Sequence, residues 1–544
     1  MIIVDPVALG DAACTRPSPK WVFDRTGTLV EVPPNTLAVT YDPADLSAAP
    51  YALIEGESTN FIRNNTMQGA APGVMPTNWS ASVNNSGAAG MNFIPVGAGV
   101  EDGIEYMDIQ FVGTSNLASS ARVIFEIPLG APAAVLGDKL AAALFMKIAE
   151  GRIDGASRFN LVFDELRSDR TYFAGRSYQL DSPTNRPLRE QQFEAQHEIF
   201  NAETAYARAY ISIFVDAGVP MNLTVRFGLP RVERNKITSL IKTSLSAVTR
   251  AADVISNTAG LIYSNVPMVE PPYSAATTYA KDAAVYDPAT KIVYWSMQAG
   301  NVGKPLSDGA WWNKRTAINR WAMFDDRNST VTSNPEEIIA VVSARAITQG
   351  LFAGALDASE VLVSMTHPTR GLVYSEKRNL VLPRSGSSFF GWCFNRLRMR
   401  TWFLTLALPV FANALVTITI RKPGSVAKCG MCLQGAVVES GRSLIGLGTE
   451  LKDYSSTTFF ADGSSETTER GFSKRMSVDV MVETDRVEEL EDYLSGRRQK
   501  TLVYLASTTR GDTMLVGKFS SLRKVIGNFR RSTMSLQIEG VLNR

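Results

Sequence analysis

The sequence predicts a mainly β, multidomain protein: two jelly-roll-like β-sandwiches, a small aromatic-rich β module and a C-terminal α+β domain. Three observations carry this. Apolar and polar residues alternate in short runs, separated by clusters of Gly, Pro, Asn and Asp. The chain has 544 residues, too many for one hydrophobic core, so roughly three to five domains are expected. Clear helical periodicity is confined to a short stretch after Asp485.

Residues 1–58 read as an extended N-terminal attachment module. Phe23-Asp24-Arg25-Thr26-Gly27-Thr28-Leu29 places turn residues between two apolar runs. Val32-Pro33-Pro34-Asn35 forbids helix, because proline lacks the amide donor and restricts the residue before it. Tyr41-Asp42-Pro43 starts a turn, and Leu53-Ile54-Glu55 leads towards Asn60.

Residues 59–235 read as the first sandwich. Strands are expected at Tyr106 to Val112, Ala121 to Ile127, Phe159 to Phe163, Ala209 to Val215 and Met221 to Pro230. The segment 140–148 is ambiguous: Ala141-Ala142-Ala143 favours helix by propensity, and the surroundings favour strand. Residues 236–265 form a connector, with a short helix expected over 237–241 and a Val248-Thr249-Arg250-Ala251-Ala252-Asp253 string after it.

Residues 266–314 are dense in aromatics: Tyr273, Tyr279, Tyr286, Tyr294, Trp295, Trp311 and Trp312. A module this small needs rings for a core. Rings also suit sugar recognition, since the C–H face of a pyranose stacks on them. Tyr286, Tyr294, Trp295, Trp311 and Trp312 are therefore the candidate glycan-binding residues. Trp311 and Trp312 are adjacent, so on a strand one can pack while the other faces out.

Residues 315–428 read as a second sandwich, with strands at Glu337 to Val342, Val361 to Met365 and Val416 to Ile420. The uncharged stretch 401–420 has the length of a membrane-spanning helix. Pro409 and Asn413 at its centre, and the alternation of Val416, Ile418 and Ile420 with threonines, make it two strands instead. From residue 429 to 544 an α+β domain follows. Met476, Val478, Val480 and Val482 share one strand face; Asp485 is expected to cap a helix that buries Val487, Leu490 and Leu494.

Several strings resemble phage tail proteins. The order FDRTGTL…YDP…LIE…TN over residues 23–60 is similar to the front end of proteins in which it precedes a lectin-like β-sandwich. The opening Asn64…Met67…Gly69…Pro76…Trp79 and the closing Phe227-Gly228-Leu229-Pro230 resemble jelly-roll carbohydrate-binding modules of such tails, and the VTRAAD string resembles their usual tail. Tyr279…Tyr294-Trp295…Gly303-Lys304-Pro305…Trp311-Trp312 looks like a small chitin-binding-type module. Arg320-Trp321-Ala322-Met323-Phe324-Asp325 and Glu469 to Met476 also resemble tail and baseplate proteins. The resemblance implies a structural virion protein of the distal phage tail (tip, baseplate or fibre), made in the host cytoplasm. It would assemble with other tail proteins as a homotrimer or ring and contribute to attachment to a host-surface glycan. A purely architectural spacer and a tail-associated glycan depolymerase are the alternatives.

Chemistry is sparse. Net charge is +2 with both signs mixed, which argues against a dedicated nucleic-acid binder; the arginines of 396–400 read as a solvated strand face or a subunit contact. There are two histidines, His197 and His367, and no nucleophile, nucleotide or zinc motif surrounds them. Cys429-Gly430-Met431-Cys432 has the spacing of half a zinc site or a redox pair but no second half, so structural thiols are expected. Cys14 and Cys393 complete a set too small for a disulfide framework. No cofactor, metal, membrane insertion or catalysis is expected. For a glycosidase, Asp325-Asp326, Glu336-Glu337 and Glu55 with Glu57 are the available carboxylate pairs.

Overall fold

The computed structural model describes all residues except 84–89, 328, 383–388, 390–393, 395–397, 460–461, 509–510, 528–529 and 542–544. Cys393, Arg396 and Leu397 thus lie outside the described residues. The fold is mainly β. The chain forms two compact units: Ala13–Ser256, and Met1–Ala12 together with Asn257–Arg544.

The unit Ala13–Ser256 is built on two five-stranded antiparallel sheets. One has the order Met91–Glu101, Ile104–Thr114, Pro220–Arg234, Lys139–Arg152, Gln192–Glu198; the other Tyr172–Leu180, Ala156–Leu166, Tyr206–Val215, Ser119–Ile124, Ser80–Val83. Period-two alternation puts Met107, Ile109, Phe111, Leu223, Val225 and Phe227 on the inner face of the first sheet. Phe159, Leu161, Phe163, Ile211 and Ile213 face them from the second, all buried. Each such side chain contributes about 1.5–3 kcal/mol by leaving water. The ambiguous segment is strand: Ala141, Ala142 and Ala143 pair on both sides, with Arg231 to Glu233 and with Glu194 to Gln196, and two ladders outweigh alanine's helical preference.

The motifs flanking this sandwich have definite local jobs. The Asn64 side chain donates to the carbonyls of Gln68 and Thr77 (2.9 and 2.8 Å), and the Asn64 backbone carbonyl accepts the Trp79 indole N–H at 2.7 Å. This closes a loop over the core, where Trp79 meets Phe125 edge-on at 4.8 Å. In the first hairpin, Lys20–Phe23 pairs with Leu29–Val32. Its turn is held by Asp24, whose Oδ1 accepts from the amides of Thr26 and Thr28, and by Gly27 at φ 80°, a backbone state that favours glycine. Phe23 and Leu29 then cover Ile104, Phe145 and Leu229 on the outer face of the first sheet.

The first 58 residues are therefore not one separate extended module. Residues 13–58 pack on this sandwich, and residues 1–12 belong to the other unit. The connector also differs from expectation. No helix forms over 237–241; the Asn60 and Asn65 side-chain amides instead donate to the Ile241 carbonyl at 3.1 and 3.0 Å. Val248–Arg250 pairs with Ser58–Asn60, and Val254–Ile255 with Cys14–Thr15.

The VTRAAD string closes a buried ion network. Asp253 accepts from Arg16 Nη1 at 2.8 Å, Lys20 Nζ at 2.6 Å and the Glu55 amide at 2.9 Å. Glu55 pairs with Lys20 at 2.9 Å and Arg250 at 3.4 Å. Burial pushes the Glu55 carboxyl up, but Lys20 and Arg250 outweigh it and hold it below its ordinary value.

In the unit formed by Met1–Ala12 and Asn257–Arg544, a six-stranded sheet runs Gly10–Asp11, Gly260–Ser264, Thr332–Ser343, Leu415–Cys429, Glu360–His367, Gly371–Asn379. It packs on one end of a ten-stranded sheet, made there by Trp402–Thr405, Gly350–Gly354 and Met431–Glu439. Ile338, Ala340, Val363, Ile418 and Ile420 meet Leu351, Ala353 and Phe403 in the core. The chain turns the corner between the two sheets at Gly430. Cys429 and Cys432 flank that corner, buried as free thiols, and burial pushes the Cys429 thiol up to about 12. The uncharged stretch 401–420 supplies strands to both sheets, and among the described residues no helix is long and apolar enough to cross a membrane.

The ten-stranded sheet continues through Ile2–Pro6, Leu502–Leu505, Met514–Val525, Arg531–Gly540 and Phe472–Glu483. The second sandwich and the C-terminal domain thus share a sheet, so a boundary at 428/429 cuts through continuous structure. Met476, Val478, Val480 and Val482 are buried against Val487, Leu490 and Leu494 of the Val487–Ser495 helix. Asp485 does not cap it: a 3-10 turn, Thr484–Arg486, intervenes, and Glu488 and Glu489 favour the helix start by charge instead.

Candidate glycan-contact site

The small module is a three-stranded sheet: Ala284–Tyr286, Ile292–Ser296, Trp312–Ala317. Strand alternation sorts its rings. Trp312 is only 3% exposed and packs with Tyr279 at 5.3 Å and Tyr273 at 5.7 Å between ring centroids. Its indole N–H donates to the Lys304 carbonyl at 3.0 Å. Trp312 is therefore a core residue and offers no face to a sugar, which removes it from the candidates. Tyr294 flanks the same cluster, and Tyr286 packs against the core of the adjoining sandwich.

Trp295 is 41% exposed. The strand register sets it opposite Ala284 on one side and Asn313 on the other. The Arg315 guanidinium lies 4.3 Å from its centroid. Trp311 is half-buried, with Lys304 Nζ at 5.0 Å from its ring. The sequence reading placed Trp295 among the candidates but missed Arg315, which has no motif of its own. The periodicity of Trp312–Ala317 was the one available signal.

The carboxylate pairs do not assemble a cleft. Glu337 pairs with Arg421 at 3.0 Å, Glu336 accepts from the Gly424 amide at 3.0 Å, and Glu55 sits in the ion network. Asp325 accepts from the Thr330 hydroxyl and the Arg327 amide, and burial raises its carboxyl. Among the described residues no cluster of three or more His, Cys, Asp or Glu could hold a metal ion.

His197, given no role by the sequence, lies buried between the two sheets of the first sandwich. Its Nε2 is 3.0 Å from Glu165 Oε1 and its Nδ1 3.0 Å from the Tyr178 hydroxyl. A carboxylate only accepts, so Nε2 carries the proton and Nδ1 accepts from Tyr178. Glu165 also accepts from Thr204 Oγ1 at 2.5 Å and Asn201 Nδ2 at 3.2 Å. Burial lowers the His197 pKa, opposed by Glu165. The arrangement is a filled, closed network with no access for a substrate.

No family model and no curated protein sequence matches the chain. Among solved structures, similarity extends to the enzymatically active domain of bacteriophage CBA120 tailspike protein 4. Identity there is 12%, coverage 29% of this chain and 19% of that chain, and the TM-score 0.20. The chain thus spans about a fifth of the tailspike domain's length. The CBM22-1 xylan-binding domain of Paenibacillus barcinonensis Xyn10C gives 10% identity over 35% of this chain and 100% of that chain, at TM-score 0.19. The tandem CBM22-1-CBM22-2 domain of the same protein gives 8% over 72% and 99%, also at 0.19. Scores this low carry no argument about this chain.

Proposed function

We propose that this chain is a non-enzymatic structural protein of a bacteriophage tail, whose small aromatic module contacts a host-surface glycan. The observation that carries the binding half is the partly exposed Trp295 ring with the Arg315 guanidinium over it, on a three-stranded sheet. An indole face with an adjacent donor fork suits a pyranose: the ring takes its C–H face and the guanidinium its hydroxyls. Polar, charge-mixed surfaces and the strings resembling tail proteins support the structural half. In a trimer or ring of such chains, weak contacts would add through avidity.

The test is binding of purified protein to lipopolysaccharide and capsule from candidate hosts, with Trp295→Ala and Trp312→Ala beside wild type. Trp295→Ala should weaken saturable binding while changing stability by only about 0.5–1 kcal/mol, the worth of an exposed cation–π pair. Trp312→Ala should cost about 3–5 kcal/mol as a core truncation. Equal binding by wild type and Trp295→Ala would reject the site. Absence of binding to every preparation by a folded protein would favour the purely architectural spacer.

A further inference from the structure

A cavity lies far from Trp295 in the sequence and is built by different residues. It has a volume of about 590 Å³ and three walls. Gly371–Asn379, the edge strand of the six-stranded sheet, presents Tyr374, Glu376 and Arg378 at alternate positions on one face. Trp402–Thr405, the edge strand of the ten-stranded sheet, supplies Trp402 and Leu404, with Arg400 before it and Leu406 after it. Leu505, Ser507, Thr508 and Gly511 line the third side. The volume lies in the range of small-molecule sites.

The two edge strands are tied together at the cavity floor. The Tyr374 hydroxyl is 3.1 Å from Thr405 Oγ1, and Arg378 Nη1 donates to the Leu404 carbonyl at 3.0 Å. Gly511 lies against the indole: a Cβ there would stand 2.5 Å from Trp402 Cζ2, so the close approach requires glycine.

Among the described residues the charges do not cancel. Glu376 is neutralised by Arg378, with which it is ion-paired, and it accepts from the Tyr374 hydroxyl at 2.6 Å. Arg400 is different. Its guanidinium lies 4.9 Å from the Trp402 centroid and makes no ion pair with a carboxylate among the described residues. Among the described residues, one planar cation without a carboxylate partner therefore stands over an indole, near the apolar walls of Leu404, Leu406 and Leu505. A guanidinium binds carboxylate through two parallel N–H···O bonds. An indole flanked by leucines takes the apolar face of a ring.

We propose that this cavity binds an acidic sugar, a pyranose bearing a carboxylate, with the carboxylate on Arg400, the ring against Trp402 and a hydroxyl on Glu376. It extends the reading that the chain binds glycans, on which it rests, by adding a second site with its own selectivity for anionic sugars. Uronic acids and nine-carbon acidic sugars share this chemistry.

The experiment is ligand-observed NMR on the full chain with free glucuronate and N-acetylneuraminate as probes and glucose as the neutral counterpart. At least one acid should bind saturably and glucose should not. Arg400→Gln should weaken that binding about tenfold or more, the worth of a charge-assisted hydrogen bond. Arg400→Lys, which keeps the charge but loses the fork, should fall between. Ala407→Glu, at an exposed position on the cavity wall, should also abolish binding by repulsion and covers the case in which Arg400→Gln fails to fold. Trp295→Ala should leave it unchanged. Binding of glucose equal to both acids, no binding of either acid, or binding indifferent to both Arg400→Gln and Ala407→Glu would overturn the proposal. A protein that binds cell-surface glycans through Trp295 yet ignores both acids would overturn this site alone. One that binds the acids through Arg400 while Trp295→Ala has no effect on surface glycans would overturn only the aromatic-module site.

Discussion

Replacing Asp253 by Asn keeps the side chain's size and removes its charge, which isolates the electrostatic part of the clasp on residues 13–58. In the folded protein Arg16, Lys20 and Asp253 have no exposed side-chain surface. Asp253 is the only carboxylate paired with Arg16 among the described residues, and one of two on Lys20. Its neutralisation leaves Arg16 buried without an ion-pair partner and Lys20 sharing Glu55 with Arg250. Removing one partner of a buried pair costs about 3–5 kcal/mol, mostly as the desolvation of the charge left behind. In a domain of this size each kcal/mol lowers Tm by about 2–4 °C, so the transition of the Ala13–Ser256 unit should fall by roughly 6–20 °C. Differential scanning calorimetry reads the shift, and limited proteolysis locates it. Cleavage should appear first within residues 13–58, because Arg16, Lys20 and Glu55 are the groups that the network ties to Arg250 and Asp253. A shift under about 2 °C, or cleavage beginning in the sandwich strands, would refute the argument that the network holds the arm.

Two further outcomes follow from the geometry. His197 is held neutral, its pKa below the ordinary 6.5, so on acidification the unfolded chain takes up a proton that the folded one refuses. Stability of the Ala13–Ser256 unit should therefore fall as pH drops below about 6.5, and His197→Gln should flatten the urea midpoint against pH between 7.5 and the depressed value. In the other unit, Gly435→Ala would place a Cβ 1.7 Å from the Asp5 carbonyl. The Ile2–Pro6 strand must then shift, at a cost of about 1–3 kcal/mol or more, and hydrogen exchange at Ile3 and Val4 should accelerate; unchanged protection would mean the strand adapts without loosening.

What was legible in the sequence is what local periodicity encodes. The strands around Phe111, Phe163, Ile213 and Phe227 carry alternation long enough to read, as do the one-sided face of Met476 to Val482 and the buried stripe of the helix after it. Ile2–Pro6 was read as part of an extended arm because its partners, Val437 and Val503 among them, lie at the other end of the chain. Residues 237–241 have the look of a helix, but the side-chain amides of Asn60 and Asn65 donate to the Ile241 carbonyl and tie the segment to residues far away in sequence. In the site, aromatic density was visible, yet the phase of Trp311 and Trp312 is set by Tyr279 and Tyr273, which no adjacent-residue argument reaches. Arg400 and Trp402 sat in stretches noted for charge and for apolarity separately. Their meeting with Tyr374 and Gly511 depends on two sheet edges converging.

The position of Ile2–Pro6, hydrogen-bonded between Met431–Glu439 and Leu502–Leu505, has a consequence for biosynthesis. The ribosome makes this strand some five hundred residues before its second partner. At translation rates of about 5–20 residues per second the wait is roughly 25–100 s. During that interval the Ala13–Ser256 unit, which contains its own strand partners, can fold, while the apolar side chains of Ile3 and Val4 stay without a sheet to enter. The nascent chain therefore carries an unpaired strand through that interval, and closure of the ten-stranded sheet waits on Leu502–Leu505, leaving the strand open to chaperones or to neighbouring nascent chains until then.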